Sequence, residues 1–159
     1  MEKQLRKHQQ MLLDAGKGMI LFAVWSVVKL NMYLGLSATF LESLQQEALN
    51  YGVDKNVILG LICTIFALVL LGYLTLRLYV GLNAMAEGKG REKGEGYLVL
   101  DAVLLGMSLV DLRNIYLTKQ EMTVNLLVGF CMEIASIYIL VELLVRGICV
   151  KHLKKKMKE

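Results

Sequence analysis

Four apolar runs, each long enough to cross a bilayer, constrain this chain more than any other feature. They cover about residues 18–38, 57–82, 97–116 and 124–146. A helix needs about 20 mainly apolar residues to span the hydrocarbon core. Within lipid, a helix satisfies all of its own backbone hydrogen bonds. The pattern therefore predicts an all-α integral membrane protein, a four-transmembrane-helix bundle that forms a single domain over 1–159.

The composition supports this class. Hydrophobic residues make up 56 % of the chain, against roughly 45–50 % in soluble domains. The chain has no proline, which favours straight helices and weakens the case for a transporter built on broken helices. Its three cysteines form no Cys-x-x-Cys motif, which argues against a disulfide framework.

The charges of the polar connections predict the orientation. If all four runs cross the bilayer, the two termini and the middle connection share one side. That side carries twelve Lys and Arg residues, and the opposite side carries three. Because positive residues concentrate in the cytoplasm, we expect two in-out-in hairpins in the cell membrane with both termini cytoplasmic.

The middle connection, residues 86–96, is the most polar and glycine-rich stretch between the spans. Its glycines suggest a phosphate-binding loop, but no Ser or Thr follows its Gly-Lys step, as a P-loop requires. Its Lys and Arg residues alternate with Glu. We therefore interpret it as a self-neutralising, flexible turn between the two hairpins.

The N-terminal segment, residues 1–17, is basic and carries a weak apolar stripe. A solvated leader that helps to set topology is the favoured interpretation. The alternative is a helix that lies on the membrane surface.

Two charges near the middle of the spans define a candidate central polar site. Lys29 lies ~16 Å and Glu133 ~18 Å from the cytoplasmic ends of their spans, at ~1.5 Å per residue. Ser26 and Tyr33 share a helix face with Lys29, and Ser136 shares one with Glu133. A charge within a span is a functional candidate because its burial in lipid is costly. The two charges either line a proton- or substrate-responsive cavity or form a structural ion pair that sets helix register.

A second set of charges lies nearer the cytoplasm. Arg77, Asp101, Glu142 and Arg146 fall within ~10 Å of that face by helical rise. Glu142 and Arg146 are four residues apart, so they can pair along one helix. The favoured interpretation is a layer of charges that snorkel to the interface. The alternative is a vestibule for a charged head group.

The basic tail, residues 147–159, is a candidate lipid-binding segment. Lysines near an anionic membrane surface contribute about 1 kcal/mol each. The tail could equally serve only as a topology anchor. It is too short, and too poor in interleaved aromatic residues, to indicate nucleic-acid binding. Its lysines are Lys151, Lys154, Lys155, Lys156 and Lys158.

Sequence motifs of catalysis are missing from the chain. It has no His-Glu-x-x-His motif, no phosphate loop and no nucleophile placed beside a base. His8 and His152 lie outside the spans without neighbours at metal-ligand spacing. We therefore expect no enzyme, no cofactor and no metal site.

Two functional hypotheses follow from these patterns. The first is a small transporter or channel-like protein that uses the central polar site. The second is a non-catalytic accessory or scaffold protein that binds a partner membrane protein or anionic lipid. Because four helices can bury one seam but enclose little pathway, we expect a homo-oligomer or a complex with another membrane protein.

Overall fold

The computed structural model describes residues 2–36, 55–117 and 124–158, and these ranges contain four α-helices and no strand. The predicted all-α class is thus confirmed for this part of the chain. The helices are α1 (Glu2–Leu36), α2 (Lys55–Gly88), α3 (Gly96–Leu117) and α4 (Val124–Lys158).

Three described helical segments are long and apolar enough to cross a membrane. They are Glu2–Val28, Cys63–Gly88 and Leu127–Met157. By length and composition they indicate a membrane-embedded protein. The described part of α3 is not among them, and it carries the charged residues Asp101 and Asp111. The fourth span and the in-out-in topology therefore stay predictions.

The helices at both termini are longer than the predicted spans. α1 has 35 residues and is about 52 Å long at ~1.5 Å per residue. Within its first turns Leu5 and Leu12 are buried, whereas Arg6 and Lys17 are exposed. The solvated leader was therefore the wrong interpretation, because the segment's apolar residues share one face and pack. α4 likewise continues to Lys158, so the described part of the tail is helical.

The chain packs as two compact units. The first unit comprises Met1–Phe22 and Leu76–Glu159, and the second comprises Ala23–Thr75. In the second unit, many described apolar side chains of α2 are exposed, among them Leu61, Leu68 and Leu71. A helix with an exposed apolar surface is typical of a lipid-facing element.

The core of the first unit follows a coiled-coil-like repeat. Buried residues recur at spacings of three, four or seven, which places one face of each helix inward. Three of the four stripes include polar side chains, so polar groups lie within the core itself. The stripes are Leu5, Leu12, Ala15 and Met19 of α1; Arg77, Val80, Ala84 and Glu87 of α2; Tyr97, Asp101, Leu104 and Ser108 of α3; and Ser136, Leu140, Leu143 and Val150 of α4.

Glycines bring α1 close to α2 within this unit. A Cβ atom at Gly16 would lie 2.9 Å from the carbonyl oxygen of Gly81, and one at Gly88 would lie 2.8 Å from the carbonyl oxygen of Gln9. Both distances are shorter than van der Waals contact, so only glycine permits this backbone approach. On α4, a Cβ at Gly147 would lie 3.1 Å from the hydroxyl of Tyr97. The Tyr97 side chain of α3 therefore packs close to the backbone of α4 at Gly147.

The middle connection is shorter than the sequence predicts. α2 continues to Gly88 and α3 begins at Gly96. Gly90 has a φ of 88°, a left-handed conformation that commonly ends a helix and that glycine adopts without strain. Its backbone N–H donates to the carbonyl of Glu87 at 2.9 Å. The turn therefore starts after Glu87, which stays within the helix.

Candidate functional site

A buried glutamate joins three helices of the first unit. Glu87, in the last turn of α2, is only 2 % exposed. The hydroxyl of Tyr97, from α3, donates to its Oε2 at 2.9 Å. From α4, Lys151 Nζ lies 3.9 Å from Oε2 and Lys154 Nζ lies 3.5 Å from Oε1. We call these four residues the Glu87 cluster.

This cluster is not predicted by the sequence pattern. The assignment of Glu87 to a self-neutralising, flexible turn was wrong because α2 extends through the residue. The available signal was spacing. Glu87 lies three residues after Ala84 and seven after Val80, so it continues the inward stripe of α2.

Two lysines of the predicted lipid-binding tail belong to the cluster. Lys151 also donates to the backbone carbonyl of Lys93 at 2.9 Å, and its ammonium lies 5.9 Å from the centroid of the Tyr97 ring. That distance is within the range of a cation–π contact. Lys155 and Lys156 are exposed, whereas the side chain of Lys158 lies outside the described residues. Lipid binding by the tail stays a prediction.

An open cleft of about 870 Å³ lies beside the cluster. Its apolar wall comes from α3 and α4 and includes Leu98 and Leu144, and its polar rim includes Glu87, Lys154 and Lys155. The cleft therefore gives polar groups of the cluster access to the surface of the first unit.

A second buried carboxylate follows one helical turn after Tyr97. Asp101 is 0 % exposed, and neither of its carboxyl oxygens has a hydrogen-bond partner among the residues that the structure describes. An ionised carboxylate without a partner in such surroundings costs several kcal/mol. The group is therefore suited to binding a proton or a cation. The predicted snorkelling was wrong for Asp101, because the residue lies on the inward stripe of α3.

Arg77 and Ser136 connect two parts of the predicted site. The side chain of Arg77 is 2 % exposed, and its Nη2 donates to Ser136 Oγ at 2.9 Å. Arg77 thus points into the first unit and does not snorkel, which corrects the sequence interpretation. Ser136 was assigned to the central polar site and Arg77 to the cytoplasmic charge layer, yet the two side chains are in direct contact. Packing between α2 and α4 makes this contact.

Glu142 and Arg146 form the ion pair that their spacing predicts. Arg146 Nε donates to Glu142 Oε1 at 2.9 Å, and both side chains are about a quarter exposed. Arg146 Nη1 also lies 3.3 Å from Nδ1 of His8, on α1. The pair therefore lies beside the first turns of α1, where the sequence analysis placed no functional residue.

The predicted central polar site is divided between the two units. Glu133, which is half-buried, and Ser136 belong to the first unit, whereas Ser26 belongs to the second. The side chains of Lys29 and Tyr33 lie outside the described residues. Pairing of Lys29 with Glu133 stays a prediction.

No metal-binding group among the described residues and no similar known protein gives further information on this site. Within 2–36, 55–117 and 124–158, no group of three His, Cys, Asp or Glu side chains could hold a metal ion. Comparison with protein-family models, curated proteins and solved structures found no match. The candidate site therefore rests on the geometry around Glu87 and Asp101.

Proposed function

We propose that this chain is a four-span membrane protein with cytoplasmic termini that conducts or transports protons, and that Asp101 is the proton-binding group. The observation that carries this proposal is the complete burial of Asp101 without a hydrogen-bond partner in the described part of the chain. Buried carboxyl groups within membrane helices commonly mark ion pathways and proton relays.

A proton suits the site better than a metal cation. Na⁺, Mg²⁺ and Ca²⁺ need several oxygen ligands, typically six or more for Ca²⁺. Among the described residues, Asp101 belongs to no group of three His, Cys, Asp or Glu side chains that could hold a metal ion. A proton needs only the carboxylate itself, because protonation removes the buried charge.

A line of polar groups leads from the cleft toward Asp101. Glu87 lines the cleft and accepts a hydrogen bond from the hydroxyl of Tyr97. Tyr97 and Asp101 are four residues apart on the same face of α3. A hydroxyl both donates and accepts, but in this structure the Tyr97 hydroxyl bonds to Glu87 and not to Asp101, so proton transfer through Tyr97 to Asp101 requires the side chain to move. Ser108 continues the face about 10 Å further along the helix.

This proposal retains the transport hypothesis but assigns the central role to a different residue. The sequence pattern favours Lys29 and Glu133 as the centre of transport, whereas the burial of Asp101 in the first unit favours that residue. We propose no catalytic step. Because four helices enclose little pathway, we expect the chain to work as a homo-oligomer or with a partner membrane protein.

Proton flux into proteoliposomes tests the proposal. The purified chain is reconstituted with a pH-sensitive dye inside the vesicles, and a membrane potential is imposed. We expect internal acidification with the native chain and its loss in Asp101→Asn. Asp111→Asn is the matched control, because Asp111 is an exposed carboxylate on the same helix; this variant should retain the flux.

Infrared spectroscopy gives an independent readout of the proton. A protonated carboxyl group shows a carbonyl stretch that an ionised carboxylate lacks. We expect such a band in the native chain and its loss in Asp101→Asn but not in Asp111→Asn. Equal flux in the native chain and Asp101→Asn would exclude Asp101 as the binding group. Absence of flux together with a co-purifying membrane protein would favour the accessory role.

A further inference from the structure

A second cavity lies on the first unit, between the first turns of α1 and the last turns of α4. Its volume is about 500 Å³. Basic side chains line it from both helices: Lys7 and His8 from α1, and Arg146 and His152 from α4. None of the described residues that line it is acidic. The cavity therefore has the charge of an anion-binding pocket.

We propose that this pocket binds the phosphate group of an anionic membrane lipid. The inference is independent of proton movement at Asp101, which does not line the pocket. It also differs from binding by the C-terminal lysines alone, because two helices form the pocket. His8 and Arg146, which contact each other there, are 138 positions apart in the chain.

The guanidinium of Arg146 is already oriented for such a ligand. Its Nε donates to Glu142 Oε1 at 2.9 Å, which fixes the plane of the group. Its Nη1 lies 3.3 Å from Nδ1 of His8. A guanidinium has five N–H donors and no acceptor, so two contacts leave donors for a phosphate. Planar arginine forks match the geometry of phosphate oxygens and often bind them with two hydrogen bonds.

His8 can present a donor in the same pocket. Because arginine only donates, its contact with Nδ1 is a hydrogen bond when that nitrogen accepts. The ring proton then lies on Nε2, which is a donor. The charge of Glu142 offsets part of the charge of Arg146, and the Lys7 ammonium supplies a further positive charge to the pocket.

The surroundings of the pocket favour a lipid over a free phosphate ion. Met11 and Leu153 give the pocket apolar lining. On α4 the residues that line the pocket run from Arg146 to Leu153, so they follow the exposed apolar residues Val141 and Val145 and overlap the start of the lysine-rich tail at Lys151. An anionic lipid has the same two parts, an apolar tail and a charged head group, and basic residues at a membrane surface attract such head groups. A free phosphate would leave the apolar lining unused.

Native mass spectrometry of the full chain in mild detergent tests the proposal. The chain is titrated with phosphatidylglycerol, phosphatidylcholine or inorganic phosphate. We expect one phosphatidylglycerol to bind with at least about tenfold higher affinity than phosphatidylcholine, a preference that corresponds to ~1.4 kcal/mol. Inorganic phosphate should compete weakly.

Charge reversal at one exposed lysine separates the pocket from general surface attraction. Lys7→Glu should lower the affinity for phosphatidylglycerol by about tenfold, since it places a carboxylate beside the phosphate. Lys3→Glu makes the same change on exposed α1 surface outside the pocket, and Lys156→Glu makes it on the tail. Both controls should change the affinity less than about twofold. Equal melting temperatures of Lys7→Glu and Lys3→Glu would establish that the fold is retained.

Three results would overturn the proposal. Equal losses in Lys7→Glu, Lys3→Glu and Lys156→Glu would show diffuse attraction and no pocket. Equal affinity for phosphatidylcholine would show that the pocket does not recognise the net negative charge of the lipid. Full competition by inorganic phosphate would identify a site for a free ion, with no role for the lipid. If Lys7→Glu unfolds the chain, Lys7→Gln provides the same comparison against Lys3→Gln.

Discussion

Glu87 and Asp101 are two carboxylates of one helical unit with opposite surroundings. Both are almost completely buried. Glu87 accepts from Tyr97 and lies near the ammonium groups of Lys151 and Lys154. Asp101, one turn beyond Tyr97, has no hydrogen-bond partner in the described part of the chain.

The difference teaches that burial alone does not identify the role of a charged residue. A buried charge with partners stabilises the native packing when those partners are present and destabilises it when one is removed. A buried charge without partners costs stability, and such groups within membrane segments commonly serve a function such as proton binding. We therefore propose that Asp101 binds the proton, whereas Glu87 both stabilises the packing of three helices and lines the cleft that leads toward Asp101.

The largest expected effect is at Glu87. Glu87→Met keeps the length of the side chain but removes the acceptor of Tyr97 and the counter-charge of two lysines. Since Tyr97 is 1 % exposed, its hydroxyl would be left buried without this acceptor. We expect the free energy of unfolding to fall by about 3 kcal/mol, measured by denaturant or thermal unfolding in mild detergent.

Glu95→Met is the control for this change, because Glu95 lies exposed in the connection that follows α2. Its effect should stay below about 1 kcal/mol. If both variants lose the same stability, the Glu87 cluster has no special structural role.

At Asp101 we expect a substitution to raise the free energy of unfolding, whereas at Glu87 it lowers it. Leu has the branching of Asp but larger terminal groups, so Asp101→Leu removes an unpaired polar group and leaves no cavity, while it tightens the packing around the site. We expect a gain in the free energy of unfolding of about 2 kcal/mol, together with loss of proton flux. Asp111→Leu, at an exposed site on α3, should shift stability by no more than about 0.5 kcal/mol. A loss of more than about 3 kcal/mol in Asp101→Leu, beyond the usual cost of overpacking, would contradict the unpartnered state.

Tyr97 donates to one of the two carboxylates and lies one helical turn from the other, so its variant sharpens the comparison. Tyr97→Phe removes only the hydroxyl that donates to Glu87. We expect a loss of about 1.5 kcal/mol, the usual size for a hydrogen bond to a charged acceptor. Tyr79→Phe, at a side chain that is half exposed, should lower the melting temperature little. Similar losses in the two variants would show that the Glu87 contact contributes nothing particular.

The smallest expected change in stability is at two buried serines, which differ in hydrogen bonding as the two carboxylates do. Ser136 accepts from Arg77, whereas Ser108 is buried without a hydrogen-bond partner among the described residues. Ser136→Ala should cost about 1 kcal/mol, and Ser108→Ala should cost nothing or stabilise slightly. Chemical denaturation of both variants would measure the difference, and the reverse order would break the parallel with the two carboxylates.

The candidate site was only partly accessible from the sequence. Spacing along one helix predicts the Glu142–Arg146 pair, because both residues belong to the same turn of α4. Depth along a span placed Arg77 and Ser136 in separate layers, although they bond to each other. Helical rise gives the height of a residue along its own helix, but it contains no information on tilt, offset or rotation between helices.

The sequence by itself determined that the described chain is helical and that three of its helices are apolar enough to cross a membrane. These properties depend on residues close together in the chain, through helical hydrogen bonds and apolar length. Tertiary structure decided which buried carboxylate has partners. The contacts of Glu87 join residues 10 and 67 positions apart, and only the packing of α2, α3 and α4 brings them together while leaving Asp101 without a hydrogen bond.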